Sequence, residues 1–206
     1  NIPQIHSADD FRLKALTAGD TVKIKVIVPR DGNRVLRDTQ VMELPVKDGY
    51  VDISGHPDLV YVTVINRYGT GTQTTAIYKD FGLARGALAS TISHDSHNLT
   101  VAYRSPEDAY LAAETLRECA GGVCIADNGE VTTLPLPVAG LMSQMVCADV
   151  AAQIEAVQKK LDTMTDGTVT LLATAIMALP VLPGVIITDR GLVDGLSQQF
   201  IEQFEG

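Results

Sequence analysis

The sequence contains no tryptophan, only three cysteines and no uninterrupted apolar run long enough to span a bilayer. Its most apolar stretch, residues 169–185, is broken by two prolines and a glycine. Cys119, Cys124 and Cys147 cannot build the paired disulfide framework of a small secreted domain. These absences favour a protein of a reducing compartment, so we predict a cytoplasmic location and no membrane partner.

The sequence also contains fewer basic than acidic residues. The chain has 16 lysines and arginines against 25 aspartates and glutamates, which gives a net charge of −9. An acidic surface repels a phosphate backbone, so nucleic acid is not an expected partner. At 206 residues the chain is long enough to bury a core without the help of disulfides or a structural metal.

Several familiar catalytic motifs are missing. The sequence has no G-x-S-x-G elbow, no phosphate-binding loop and no H-x-H pair. Cys119 and Cys124 are not followed by a second pair, whereas a structural zinc site needs about four ligands. We therefore assign no metal site to this chain from the residues alone.

Hydrophobic periodicity predicts an α/β or α+β fold, with a mixed β-sheet covered by helices and a β-rich N-terminal segment. Residues 1–50 are predicted to form that segment, which could belong to a neighbouring subdomain, and residues 51–206 the α/β domain. Strands are predicted over 22–28, 41–46, 59–65, 87–93, 99–103, 123–126, 130–136 and 186–187. Helices are predicted over 105–118, 150–164, 169–178 and 197–204.

The most concentrated chemistry lies in His94-Asp95-Ser96-His97-Asn98, between two apolar strands. In a turn, the two histidines are three positions apart and could point the same way. A carboxylate beside an imidazole can orient it as a general base. The alternative is a β-turn whose Asp, Ser and Asn side chains bond their own backbone. The sequence leaves both interpretations open.

Arg67 ends an apolar strand and precedes Tyr68-Gly69-Thr70-Gly71. Its guanidinium could hold an anion or an acidic side chain. The alternative is an ordinary surface arginine at a turn rich in glycine. The spacing of the glycines does not fit a dinucleotide-binding fingerprint.

Several segments in collinear order resemble the C-terminal region of adenine deaminase, a member of the amidohydrolase superfamily. The resemblance covers most of the chain from about residue 40, and its most specific piece is 89–98. This chain has Tyr68 where the family pattern has histidine. The segments are Leu44-Pro45-Val46-Lys47-Asp48-Gly49, Arg67-Tyr68-Gly69, Phe81-Gly82-Leu83, Gly86-Ala87-Leu88-Ala89-Ser90-Thr91, His94-Asp95-Ser96-His97-Asn98, Leu134-Pro135-Leu136-Pro137-Val138-Ala139-Gly140-Leu141 and Thr188-Asp189-Arg190-Gly191-Leu192-Val193-Asp194.

The resemblance implies part of a metal-dependent hydrolase of purine catabolism, which converts adenine to hypoxanthine and ammonia. It also implies an amidohydrolase barrel domain, N-terminal to this chain, as the partner of this domain. The barrel would hold the metal, manganese or iron. The complete enzyme would form a homo-oligomer. We expect catalytic roles for His94, Asp95 and His97: one of the histidines would transfer protons or contact the purine, and Asp95 would orient one of them. Ser96, Asn98 and Arg67 would support the substrate or the loop. We expect the isolated chain to be inactive.

Two other functions remain open from the sequence. The domain could be purely structural, covering the barrel or joining subunits, with 94–98 as a rigid turn and the apolar last third as an interface. It could also be a stand-alone metal-dependent hydrolase that uses His94, Asp95 and His97 as ligands.

Overall fold

A computed structural model describes residues 2–16, 19–165 and 167–205. Two short 3-10 helices, Ala8–Phe11 and Leu171–Ile176, accompany the regular elements. The helices are α1 (Pro106–Glu118) and α2 (Cys147–Thr165). The strands are β1 (Thr21–Arg30), β2 (Asn33–Lys47), β3 (Tyr50–Val51), β4 (Leu59–Ile65), β5 (Gln73–Lys79), β6 (Ala87–Ser90), β7 (Leu99–Tyr103), β8 (Gly122–Asp127), β9 (Glu130–Pro135), β10 (Val185–Thr188), β11 (Gly191–Asp194) and β12 (Gln199–Ile201).

Nine strands form one sheet in the order β3-β2-β1-β5-β4-β7-β6-β8-β9. The neighbours pair antiparallel except β1 and β5, which meet in parallel at Ile27 and Tyr78. A second sheet has the order β10-β11-β12. The predicted mixed sheet with covering helices is confirmed. The strands before residue 50 belong to the same sheet as the rest, and a domain boundary near residue 50 stays a prediction.

Both faces of the central strands of the large sheet are buried, which explains why these strands are apolar at successive positions. In β4, Tyr61 and Ile65 contact the cluster that contains α1, whereas Val60, Val62 and Val64 contact the cluster that contains α2. The alternation follows from the two-residue period of a strand. The two helices therefore cover opposite faces of the sheet.

Helix α1 begins where the sequence predicts. The Ser105 hydroxyl accepts a hydrogen bond from the Asp108 amide at 3.1 Å, and Pro106 occupies the first turn. The chain leaves the helix before Gly121 and Gly122, both at positive φ. A Cβ at Gly122 would lie 2.0 Å from the Leu134 carbonyl oxygen, so only glycine fits there.

The C-terminal third departs most from the sequence prediction. The predicted helix 197–204 is wrong, because Gln199–Ile201 pairs with β11 as a strand. The predicted helix over 169–178 is only a 3-10 helix, which ends before Pro180.

Two differences lie in the middle of the chain. The predicted strand 87–93 ends at Ser90, where the chain leaves the sheet. Strand β5, which the sequence analysis missed, lies between β1 and β4.

Asp127 joins α2 to the end of β8. Its buried carboxylate accepts from Lys160 at 2.9 Å and from Arg85 at 3.1 Å. Burial raises the pKa of Asp127, but the hydrogen bonds and charges of Lys160 and Arg85 outweigh it and hold the pKa below its usual 3.8. A carboxylate with a lowered folded-state pKa stabilises the fold above its unfolded-state pKa, and loses that contribution as the pH falls through the folded-state pKa.

We expect Asp127→Asn to lower the free energy of unfolding at pH 7 by about 1.5 kcal/mol, because the charge is lost from an acceptor that is hydrogen-bonded by Lys160, Arg85 and Asn128. The difference from the unchanged chain should shrink as the pH falls below about 4. Urea denaturation between pH 7 and pH 2 measures this. Asp162→Asn, on the exposed side of α2, is the matched control. A difference that stays constant with pH would contradict the assignment.

Candidate functional site

The His94–Asn98 segment forms part of the connection between β6 and β7. Backbone hydrogen bonds fix both ends of it: the His94 amide donates to the Ala175 carbonyl at 2.7 Å, and the His97 amide donates to the Ser93 carbonyl at 2.6 Å. The hydroxyls of Ser93 and Thr100 are 2.9 Å apart beneath the connection. Buried hydrogen bonds therefore support this polar loop from the residues that flank it.

Exposure differs sharply along these five residues. The side chains of His94, Asp95 and Ser96 are exposed, His97 is half-buried and Asn98 is buried. The two imidazole rings lie near each other, with centroids 5.5 Å apart and planes inclined by 62°. The Asn98 side-chain oxygen accepts a hydrogen bond from the Arg67 amide at 3.3 Å. The structure thus brings all the sequence-predicted site residues into one cluster.

Arg67 is buried beneath this loop rather than exposed at a turn, with 8% of its surface accessible. Its Nε donates to the His97 carbonyl at 2.6 Å and its Nη2 donates to the Ala139 carbonyl at 3.1 Å. A guanidinium offers donors in a fixed planar fork, so it can hold two backbone segments at a set separation. Arg67 ties the loop to the segment 136–141.

Two residues that the sequence analysis did not select complete this contact. The Tyr68 hydroxyl donates to the Ser96 carbonyl at 2.5 Å. The Asn66 side-chain oxygen accepts from the amides of Tyr68 at 2.8 Å and Thr70 at 3.4 Å. An asparagine immediately before a glycine-rich turn is a signal for such a side-chain-capped turn, and it could have been found in the sequence.

A second support lies on the other side of Arg67. The Thr91 hydroxyl donates to the Gly140 carbonyl at 2.6 Å and accepts from the Gly122 amide at 2.8 Å. A Cβ at Gly140 would lie 2.3 Å from Nη1 of Arg67. The close approach of these segments requires glycine. Because Thr91 and Gly140 are far apart in sequence, no local pattern indicates this contact.

His97 has an unusual electrostatic environment. Its pKa is lowered from the ordinary 6.5, first by burial, then by the nearby His94 and Arg67, while Asp95 opposes the shift. Among the described residues, Nδ1 of His97 is buried without a hydrogen-bond partner. A neutral imidazole has one nitrogen that can accept a proton, so this side chain is suited to proton transfer at neutral pH.

The loop also borders a cleft of about 150 Å³, lined by Asp95, Ser96, Asn98 and Asp189 together with apolar side chains. In the described part of the chain, no three His, Cys, Asp or Glu side chains are grouped so that they could hold a metal ion. The arrangement supports hydrogen bonding and proton transfer. The cysteines are free thiols and lie outside the cleft lining.

Comparison with known proteins agrees with the resemblance noted from the motifs. A family model described as the adenine deaminase C-terminal domain matches residues 34–199. The chain is 37% identical over 199 residues to an adenine deaminase of Moorella thermoacetica, covering 95% of this chain and 33% of that protein. It is 31% identical over 198 residues to adenine deaminase 2 of Carboxydothermus hydrogenoformans, covering 94% and 34%. The chain spans about a third of the length of these curated relatives.

We expect Gly140→Ala to destabilise the fold more than Gly129→Ala. Both glycines have positive φ, but a Cβ at Gly129 has open space, whereas one at Gly140 meets Arg67. Both variants bear a left-handed backbone cost of about 1–2 kcal/mol, and Gly140→Ala should add about 1–3 kcal/mol of overpacking. Urea denaturation measures both. Equal losses would contradict the close packing of Gly140 on Arg67.

We expect the pKa of His97 to lie below 6.5 in an NMR titration of the chain, because burial and two neighbouring cationic groups disfavour its protonated form. His94→Gln should move that pKa upward by removing one of these groups. His56→Gln, in the connection between β3 and β4, serves as the control and should leave it unchanged. A His97 pKa at or above 6.5 would contradict this environment.

Proposed function

We propose, because this chain belongs to the family of adenine deaminase C-terminal domains, that it is part of an enzyme that hydrolyses adenine to hypoxanthine and ammonia. The relatives are about three times as long as the chain. In this proposal an amidohydrolase barrel supplies the remaining catalytic groups, and the His94–Asn98 loop lies near the mouth of that barrel.

One observation carries the proposal. An exposed imidazole and carboxylate, His94 and Asp95, lie beside the half-buried imidazole of His97 on one loop. The loop's carbonyls at 96 and 97 accept hydrogen bonds from Tyr68 and Arg67. A simple β-turn needs its own Asp, Ser and Asn side chains, but it does not need a buried guanidinium beneath it. Rigid support of an exposed polar loop is typical of functional sites.

The chemistry requires movement of a proton. Water adds to C6 of the purine, the exocyclic amino group departs as ammonia, and the nitrogen that leaves must gain a proton. A ring nitrogen of His97 or His94 accepts a proton from the attacking water and returns it to the departing amine. Asp95 orients one of the imidazoles, while Ser96 and Asn98 shape the loop. The lowered pKa of His97 keeps it neutral and able to accept.

The divalent metal that the proposed reaction calls for, manganese or iron, does not fit the side chains of this chain. The described residues form no grouping of three possible ligands, so we assign no step to a metal here. In the proposal the metal belongs to the barrel. The similarity to adenine deaminases also favours part of a larger enzyme over a stand-alone metal hydrolase.

We further propose a homo-oligomeric, cytoplasmic enzyme of adenine catabolism. All three cysteines are free thiols, as in proteins of a reducing compartment. The described helices include none long and apolar enough to cross a membrane. Exposed Met142 and Val146, beside α2, favour a contact with another surface. They also favour the second candidate function, a structural or interface domain in which 94–98 is only a turn.

We expect His94→Asn, Asp95→Asn and His97→Asn, made singly in the complete enzyme, to lower kcat for adenine by about tenfold or more. The reason is the loss of a group that accepts, returns or directs a proton. Ammonia release measures kcat and KM, and the unfolding midpoint is measured in parallel. The matched control is His56→Asn.

Near-normal kcat in all three variants, with loss of oligomer or of stability, would sink the catalytic role and support the interface function. A fall in kcat with an unchanged unfolding midpoint supports the catalytic role. The isolated 206-residue chain should release no ammonia from adenine. Activity of the chain alone would overturn the assignment of the reaction to a larger enzyme.

A further inference from the structure

We propose that Asp189 is a positioning residue, which acts through the turn 66–72 to hold the His94–Asn98 loop in its working conformation. This inference rests on the proposed function for the meaning of that conformation. Within the described residues, the hydrogen bonds of the Asp189 carboxylate go to Asn66 and Thr72 and not to the imidazoles. These two hydrogen bonds connect Asp189 to the turn that contacts the loop.

One carboxylate oxygen of Asp189 accepts two hydrogen bonds. Nδ2 of Asn66 donates to Oδ2 at 3.0 Å, and the Thr72 hydroxyl donates to the same atom at 2.5 Å. Asn66 and Thr72 stand at the two ends of the turn between β4 and β5. The Asn66 amide also donates directly to the Thr72 carbonyl at 3.0 Å, and Asp189 adds a second connection, through side chains, between the same two ends.

The turn then passes this constraint to the loop. With its amide nitrogen held by Asp189, Asn66 directs its side-chain oxygen to the amides of Tyr68 and Thr70. Tyr68 in turn donates to the Ser96 carbonyl. Arg67, the preceding residue of the turn, donates to the His97 carbonyl. Asp189 is thus connected to the loop by hydrogen bonds between Asp189 and Asn66, between Asn66 and the Tyr68 amide, and between the Tyr68 side chain and Ser96.

Asp189 itself is well placed to act as a fixed point. It lies at the turn between β10 and β11, where the Thr188 hydroxyl donates to the Gly191 carbonyl at 2.9 Å and accepts from the Arg190 amide at 3.2 Å. Asp189 also lines the cleft beside Asp95. Through Asp189, the small sheet helps to position the turn 66–72 of the large sheet, although the two sheets share no strand.

The geometry distinguishes positioning from a charge-dependent role. Both donors use one oxygen, so the side-chain amide oxygen that Asp189→Asn introduces can accept the same two hydrogen bonds without the negative charge. Asp189→Ala removes the acceptor altogether. A residue that worked by its charge or by proton transfer would fail in both variants.

The test joins a structural readout on the chain with a kinetic readout on the complete enzyme. In the chain, Asp189→Ala should speed amide hydrogen exchange at Tyr68 by about tenfold, because local opening becomes easier. In the complete enzyme, the same variant should lower kcat for adenine by about tenfold, because a misplaced loop costs rate. Asp189→Asn should keep both values within about threefold of the unchanged protein.

Asp194→Ala is the matched control. Asp194 ends the same small-sheet hairpin, in β11, and its carboxylate accepts from the amides of Leu196 and Ser197 in the next turn. It should lower the unfolding midpoint without changing Tyr68 exchange or kcat. Thr72→Val, which removes only one of the two donors to Asp189, is the second variant should Asp189→Ala fail to fold. It should give a smaller change of the same sign.

Unchanged Tyr68 exchange in Asp189→Ala, or unchanged kcat despite faster exchange, overturns the positioning role. Equal loss in Asp189→Asn and Asp189→Ala also overturns it, in favour of a charge-dependent role. Failure of the proposed function is recognised separately, because it leaves kcat normal in the His94, Asp95 and His97 variants. The exchange readout needs no activity and decides the structural coupling in either case.

Discussion

The buried Arg67 guanidinium is the constraint on which the candidate site depends. It donates to the carbonyls of His97 and Ala139, and the Arg67 backbone amide donates to the Asn98 side chain. Without Arg67, both carbonyls would be partly buried acceptors that lack these hydrogen bonds. Because one cation bonds to both, it fixes the loop 94–98 and the segment 136–141 together. Glycine at 140 is required for the same reason, because any Cβ there would displace the guanidinium.

The large sheet provides the platform for this arrangement. Strands β4 and β7 are antiparallel neighbours, so the turn after β4 and the loop before β7 lie at the same end of these two strands. The pairing of Ile65 with Leu99 places Asn66 and Arg67 beside Asn98. Covering helices on both faces bury these strands, which keeps their register fixed. Loop positions are therefore set by strand pairing, and the side chains of the turn complete the contact.

The division between rigid support and exposed chemistry has a functional meaning. The side chains of His94 and Asp95 are exposed, whereas the backbone that carries them is held by hydrogen bonds from Arg67 and Tyr68. Under the proposed function, this exposure leaves the two side chains accessible to a substrate. This chain belongs to the adenine deaminase C-terminal domain family, and it spans about a third of its relatives.

The sequence by itself determined the elements with strong local signals. Apolar patterning predicted β1 and β4, and the Ser105-Pro106 start predicted α1, because caps and alternation act within a few residues. The cluster of polar residues at 94–98 was also visible. Only the tertiary structure decided that Gln199–Ile201 is a strand. It also decided which distant residues surround one loop, namely Arg67, Gly140 and Asp189. Those contacts join residues that are far apart in sequence, and no local periodicity encodes them.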